Sequence, residues 1–437
     1  MSTTIAPRNR PTPPVTNGEY TDYFFTSEPL GLPATQGFGW AKIEFDQVLC
    51  DGEWVIKRKL GWGMSSSIWL AFDTKKKKYV AIKVLKGYEN LLRQTGHDAY
   101  EFAALHAVAM GKYDAPHCLR IYAAFNLPSR TWDGNHVCYV TELHGGNVVR
   151  LAKHYRSFPL NLSKRILLHT LRGIASTHEN GYIHTDLKLD NIFFTTDMST
   201  EDITSLLISD PSRRHDPEHS PVGMVQAAVS QPLPLPSLQD AMHTTFLLGD
   251  YSHGLLSISG FILLLTQHSL AQPRSDRPAQ SIAIPPHRPP ENVILAPWNE
   301  KSDIWQFGCL IFQLVTGKML FKWSALPEYT LTEDANLLYQ MMTVTGERFS
   351  PDYLAQGEKT REFFDENEEL NETPGQLLSA PPYVDDSYRT KIRDLTQLDD
   401  VDAALICQLL SRCLRLNPVD RPNAVDLLSD PFFDGVD

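Results

Sequence analysis

Cysteine is scarce and unpaired in this sequence. Cys50, Cys118, Cys138, Cys309, Cys407 and Cys413 stand singly, and no C-x-x-C pair occurs. The spacings of a zinc site and of a disulfide framework are both missing, which points to a reducing compartment. The opening residues, MSTTIAPRNRPTPP, carry no apolar signal core, so cytosol and/or nucleus is the expected location. Long hydrophobic runs are also missing. The most apolar stretch, Gly254 to Leu270 (GLLSISGFILLLTQHSL), falls short of the roughly 20 apolar residues of a spanning helix and contains Ser, Thr, Gln and His. No membrane partner is expected. Positive charge is in deficit: 40 Lys and Arg face 52 Asp and Glu, a net charge of −12. That balance argues against direct nucleic-acid binding and admits a basic protein partner.

What is present is a large apolar complement. Of 437 residues, 42% are hydrophobic, enough for a sizeable core and more chain than one compact core usually holds. Residues 1–38, rich in Pro, Thr and Gly, are expected to form a flexible N-terminal arm. From Trp54 to Lys86 the runs EWVIKRKLG, SSIWLAFD and YVAIKVLK read as strands, with a basic turn at Lys75–Lys78. Residues 98–110 have helical spacing, 136–143 read as a strand, and 163–180 read as a helix with Ile166, Leu167, Leu171, Ile174 and Ala175 on one face. Residues 197–243 are rich in Ser, Pro and Asp and are expected to be a surface insertion. Beyond Asp303, IWQFGCLIFQLVTG and VDAALICQLLSRCLRLN read as buried helices. Strands first and helices after predict an α+β fold with segregated lobes.

Four constellations carry chemistry. Leu60-Gly61-Trp62-Gly63 lies between two strands, where glycines let backbone amides approach phosphate oxygens; a plain glycine hairpin is the alternative. Val80-Ala81-Ile82-Lys83 ends in a lysine that either faces inward, needing an anion, or sits at a sheet edge. Glu101, 18 residues on, could position that lysine. The decisive string is Ile183-His184-Thr185-Asp186-Leu187-Lys188-Leu189-Asp190-Asn191. Asp186 can accept a proton from a hydroxyl, Lys188 can neutralise charge on a moving phosphoryl group, and Asn191 can ligate magnesium. Phosphoryl transfer needs such groups because positioning and charge stabilisation supply most of its rate. Asp250, after Leu247-Leu248-Gly249, offers a second metal ligand. Two further residues bear on the larger part: Glu291 and Arg421 could form a buried pair, and Asp303 could accept bonds from the amides of the His184 loop.

In this order the motifs resemble the eukaryotic protein kinases over about Trp40 to Phe433. Within them, Lys59-Leu60-Gly61-Trp62-Gly63, Ile68-Trp69-Leu70-Ala71 and His184-Thr185-Asp186 resemble the SR-protein (serine/arginine-rich protein) kinases. The resemblance implies a two-lobed fold, with a small β-rich N-lobe over 39–143 and a larger helical C-lobe over 144–437. It implies a monomeric serine/threonine kinase using ATP and Mg2+ on a protein substrate of the Arg/Ser-rich kind. Asp186 and Lys188 would be catalytic. Leu60, Gly61, Gly63, Ile68, Ala81, Lys83, Glu101, Glu142, Leu143 and Phe193 would bind ATP, and Asn191 and Asp250 the metal. Asp334 fits a position that docks arginine-rich peptides, whereas Lys318 and Met341 stand where further acids are expected. The apolar run at 254–270 lengthens the activation segment, either as a lineage insertion or as a retained intron. The alternative from another class is a pseudokinase scaffold, which Ser65, Ser252 and that long segment favour.

Overall fold

The structure is a computed structural model that describes residues 23–94, 104–108, 117–129, 133–251, 255–258, 261–262, 283–329, 331–366, 370 and 387–437. These fall into two compact units. The first holds 23–94, 121–143 and 198–233; the second holds 104–120, 144–197 and the chain from 234 onward, as far as each is described.

The first unit is built on a six-stranded antiparallel sheet. Its strands are β1 (Val48–Leu49), β2 (Trp54–Trp62), β3 (Ser66–Asp73), β4 (Lys78–Leu85), β5 (Ile121–Leu127) and β6 (His136–Glu142), in the order β1-β2-β3-β4-β6-β5. Strand alternation sends Trp69, Ala71, Val80, Ile82, Val84, Cys138 and Val140 to one face, where they bury with Ile43, Trp54 and Ile56. The opposite face carries the alternate residues.

Two expectations need correction here. From Tyr23 onward, the segment read as a flexible arm is packed: Leu30 and Trp40 bury with Val225 and Ala227, with Phe25 against them. Its few apolar side chains find partners about 200 residues away, which local composition does not reveal. The stretch 198–233, read as an insertion in the C-lobe, groups instead with the first unit. It is also structured. Helix Thr200–Ser209 starts in a Ser199/Asp202 capping box, and a hairpin pairs Glu218–Ser220 with Gly223–Val225.

The second unit is mainly helical. Its long helices are α1 (Leu160–Glu179), α2 (Lys301–Thr316), α3 (Glu333–Thr345) and α4 (Asp400–Cys413). One continuous core joins them, and the expected face of α1 lies within it. A three-stranded sheet, β7 (His144–Asn147), β9 (Ile192–Thr195) and β10 (Phe246–Leu248), has β9 in the middle. The helix expected over 98–110 is described at 104–108, where Ala104, Leu105 and Val108 are buried. Of the apolar run at 254–270, Leu255–Ile258 forms β11, which pairs with β8 (Tyr182–Ile183) and with β12 (Phe261–Ile262); its other residues lie outside the described ones. No helix among the described residues is long and apolar enough to cross a membrane.

The core of this unit holds a histidine that must stay neutral. His169 Nδ1 accepts from the Phe246 N–H at 3.1 Å, so its Nε2 donates to the Asp437 carbonyl at 2.9 Å. Burial, helped by His117 and Arg165, pushes its pKa down to about 3. An unfolded histidine takes its proton near pH 6.5, roughly. Below that pH the unfolded chain binds a proton that the folded chain refuses. This group's stabilisation is therefore complete above 6.5 and is lost progressively towards pH 3, by at most about 1.4 kcal/mol per pH unit. Melting temperature against pH from 7 to 4 should fall more steeply for the parent than for His169→Gln; equal slopes would refute the assignment.

Candidate active site

Chemistry-bearing residues gather in each unit. In the first, the register aligns Gly61 with Ile68, Ile68 with Lys83, and Lys83 with Tyr139, while Ala81 lies between Leu70 and Thr141. Ile68, Ala81 and Lys83 thus share the sheet face opposite the core. Lys83 lies in an interior strand, half-buried, so the edge alternative falls away. Gly61 and Gly63 leave open space: a Cβ at either would meet nothing within 4 Å among the described residues. At Gly145 in the second unit a Cβ would strike the Phe194 ring at 2.4 Å. Packing accounts for the second kind of glycine and not for the first, which suits close approach by a ligand. Leu60 sits at a register break between Lys59 and Gly61. Glu142 ends β6 and Leu143 follows it; the Glu142 carbonyl accepts from Thr141 Oγ1 at 3.0 Å. Glu101 lies outside the described residues.

In the second unit the loop 184–191 is held from several sides. Asp303, fully buried on α2, accepts the amides of His184 and Thr185 at 2.8 Å each and meets His178 Nε2 at 2.8 Å. Burial would raise its pKa, but His178 and these amides outweigh it and hold the carboxyl below its ordinary value. The grip matters because Thr185 stands at φ 69°, a left-handed backbone that costs a non-glycine residue about 1 kcal/mol or more. Asp250 is left-handed too, at φ 61°.

Within this frame Asp186, 6% exposed, pairs its Oδ2 with the Lys188 ammonium. The Asn191 side-chain amide donates to the same oxygen at 3.1 Å and to the Asp186 carbonyl at 2.8 Å. Its nitrogen is thereby spent, and its oxygen is the end left for a cation. Gly249 brings Asp250 into the cluster, because its N–H donates to the Asn191 carbonyl at 3.0 Å and its own carbonyl meets His184 Nε2 at 2.9 Å. Phe193 pairs with Leu247 and Asn147 in β9, with its ring 5.8 Å from His144. His184 and Tyr251 pack ring to ring at 4.9 Å. Among the described residues no cluster of three or more His, Cys, Asp or Glu could hold a metal alone. One amide oxygen and one carboxylate fit magnesium, which usually takes only one or two protein ligands beside phosphate oxygens.

Residues 54–210 match the protein kinase domain family. The serine/threonine-protein kinase SRPK of Physarum polycephalum is 24% identical over 93% of this chain and 92% of its own length. Protein kinase dsk1 of Schizosaccharomyces pombe is 24% identical over 87% of this chain and 80% of its own. The chain is an SR-protein kinase-like eukaryotic protein kinase. It is a serine/threonine kinase. A solved kinase-domain crystal structure, 17% identical, covers 91% of the chain at a TM-score of 0.59 and shares its fold.

The kinase's loop has two further supports that the motif search missed. Gln306 Oε1 accepts the Leu187 amide at 2.8 Å, and His287 Nδ1 lies 3.0 Å from the Leu187 carbonyl. Gln306 follows Asp303 by three residues on one helix, so helical spacing could have flagged it; nothing in the string PPHRPPE marks His287. Asp334, the anticipated docking acid, is already engaged: Arg288 Nη1 lies at 3.1 Å and Trp323 Nε1 at 3.0 Å from its Oδ1. Met341 is wholly buried.

Proposed function

We propose that this kinase transfers the γ-phosphoryl group of Mg-ATP to serine and threonine hydroxyls of Arg/Ser-rich proteins. The observation that carries the reading is the cluster of Asp186, Lys188 and Asn191, on a loop whose His184 and Thr185 amides are held by the buried Asp303 carboxylate. Asp186 orients the substrate hydroxyl and takes its proton. Lys188 faces the charge that builds on the transferring group. Asn191 and Asp250 hold the metal. In the first unit Leu60, Gly61 and Gly63 cover the phosphates and Lys83 grips them. In the same unit Ile68 and Ala81 take the base, and the backbone of Glu142 and Leu143 bonds to it. The nucleotide and its metal, when bound, supply the phosphoryl group and neutralise its charge. The six free thiols suit work in the cytosol or nucleus.

The names of the relatives support the substrate class, while the pairing of Asp334 with Arg288 means that an arginine docking there would displace an internal one. Purified protein, γ-labelled ATP and two peptides test both parts. Label is expected on an Arg/Ser-rich peptide in preference to a plain serine peptide, and magnesium chelation should abolish it. Equal labelling would remove the substrate class and leave the kinase; no labelling of either would overturn the reading.

A further inference from the structure

We propose that Lys59 is a positioning residue for the nucleotide. It ties the N-terminal segment and the 198–233 insertion to β2, and so fixes the strand that carries Gly61 and leads into Gly63. The inference rests on the reading of those glycines as the nucleotide loop.

Lys59 is wholly buried. Its ammonium donates to the Glu28 carboxylate, to Ser27 Oγ at 2.8 Å and to the Ala228 carbonyl at 3.1 Å. All three donors are therefore spent, on two segments 31 and 169 residues away. The Glu28 side chain is 3% exposed, so both charges are shut from water. Buried ion pairs often add no more stability than apolar side chains of the same size. A lysine here therefore asks for a reason other than stability, and the neighbouring bonds supply one.

β1 covers the outer edge of β2 only at Trp54 and Val55. Ile56 next bonds with Asp46 and Gln47, and beyond it the insertion takes over. Ser212 Oγ donates to the Lys57 carbonyl at 2.7 Å, and the Gln231 N–H donates to the Lys59 carbonyl at 2.9 Å. Between these, buried Arg58 donates to the Asp210 carbonyl. An uncovered strand edge is free to move or to pair elsewhere; this one is held residue by residue up to the break before Gly61. Past the break the hold continues. The Lys59 ammonium lies 5.8 Å from the Trp62 ring, and Trp62 packs edge-on against Trp40 at 5.5 Å. Gly61 is thus anchored on both sides by contacts that converge on Lys59.

The test measures Kd for a non-hydrolysable ATP analogue with magnesium, together with KM for ATP, kcat and peptide KM. The parent is compared with Lys59→Met, Glu28→Gln and Trp62→Ala. Analogue Kd and ATP KM should rise about tenfold in the first two variants, equivalent to about 1.4 kcal/mol, while kcat and peptide KM hold. The Lys59→Met/Glu28→Gln double variant should be no worse than either single one, as expected for residues acting as a unit. Variants that melt earlier yet bind the analogue as the parent does would overturn the proposal. If Lys59→Met does not fold, Glu28→Gln and Trp62→Ala decide, since Trp62 is 43% exposed. A parent that binds analogue but labels no peptide removes only the proposed chemistry. A parent that binds none removes the nucleotide-loop reading and the role of Lys59 with it.

Discussion

Asp186→Asn should lower kcat by about 10²–10⁴-fold, the range that general acid–base groups supply. The substitution keeps the shape of the side chain and one oxygen to face Lys188 and Asn191. It removes the charge and the basicity that let the carboxylate take a proton. Because Asp186 sits on a loop held by Asp303, Gln306 and His287 rather than by its own side chain, the fold should survive the change. The expected signature is a large loss in kcat with ATP KM and melting temperature near those of the parent. An unchanged kcat would remove Asp186 from the chemistry. A loss that tracks melting temperature would make it a structural residue instead.

Glu291→Gln should destabilise the second unit by about 3–5 kcal/mol, the usual consequence of stranding a buried charge. Arg421 and Glu291 are both fully shielded from solvent and meet through two parallel bonds, Nη1 to Oε1 at 2.7 Å and Nη2 to Oε2 at 2.8 Å. Ser302 Oγ adds a bond to Glu291 at 2.8 Å. The carbonyls of Lys301, Arg415 and Leu416 take the remaining guanidinium donors. The Arg421 guanidinium also lies 5.2 Å from the Trp305 ring. Every donor is placed, so loss of the carboxylate charge leaves a cation with nowhere to turn. In the melting curve this should appear as a fall of roughly 10 °C. Replacing both residues with methionine should cost less than the sum of the single changes, because neither charge is then left unpaired. Additive losses would show that the two side chains act separately.

The residues of the second-unit cluster were legible because phosphoryl transfer demands particular side chains at short spacing. Asp186, Lys188 and Asn191 lie within six residues, so local geometry alone brings them together. The sheet face in the first unit was legible for a similar reason. Period-2 alternation places Ala81 and Lys83 on one side, and apolar neighbours at Val80, Ile82 and Val84 say which side is core. What local reasoning missed depends on distance in sequence. Phe25 and Leu30 lie in a Pro- and Gly-rich stretch and look like part of an arm until Val225 and Ala227 are set beside them. His287 carries no motif, and only its approach to the Leu187 carbonyl gives it a place.

By itself, then, the sequence determined the class of chemistry, the α+β order of elements and the candidate residues for the transfer, because each rests on side-chain type and short-range periodicity. Tertiary structure alone decided where 23–38 and 198–233 belong, that Lys83 is interior and that Lys59 is buried against Glu28. The reason is physical. Burial and pairing of a charge depend on which segments close over it, and chain segments as far apart as Lys59 and Ala228 meet only once the fold has formed.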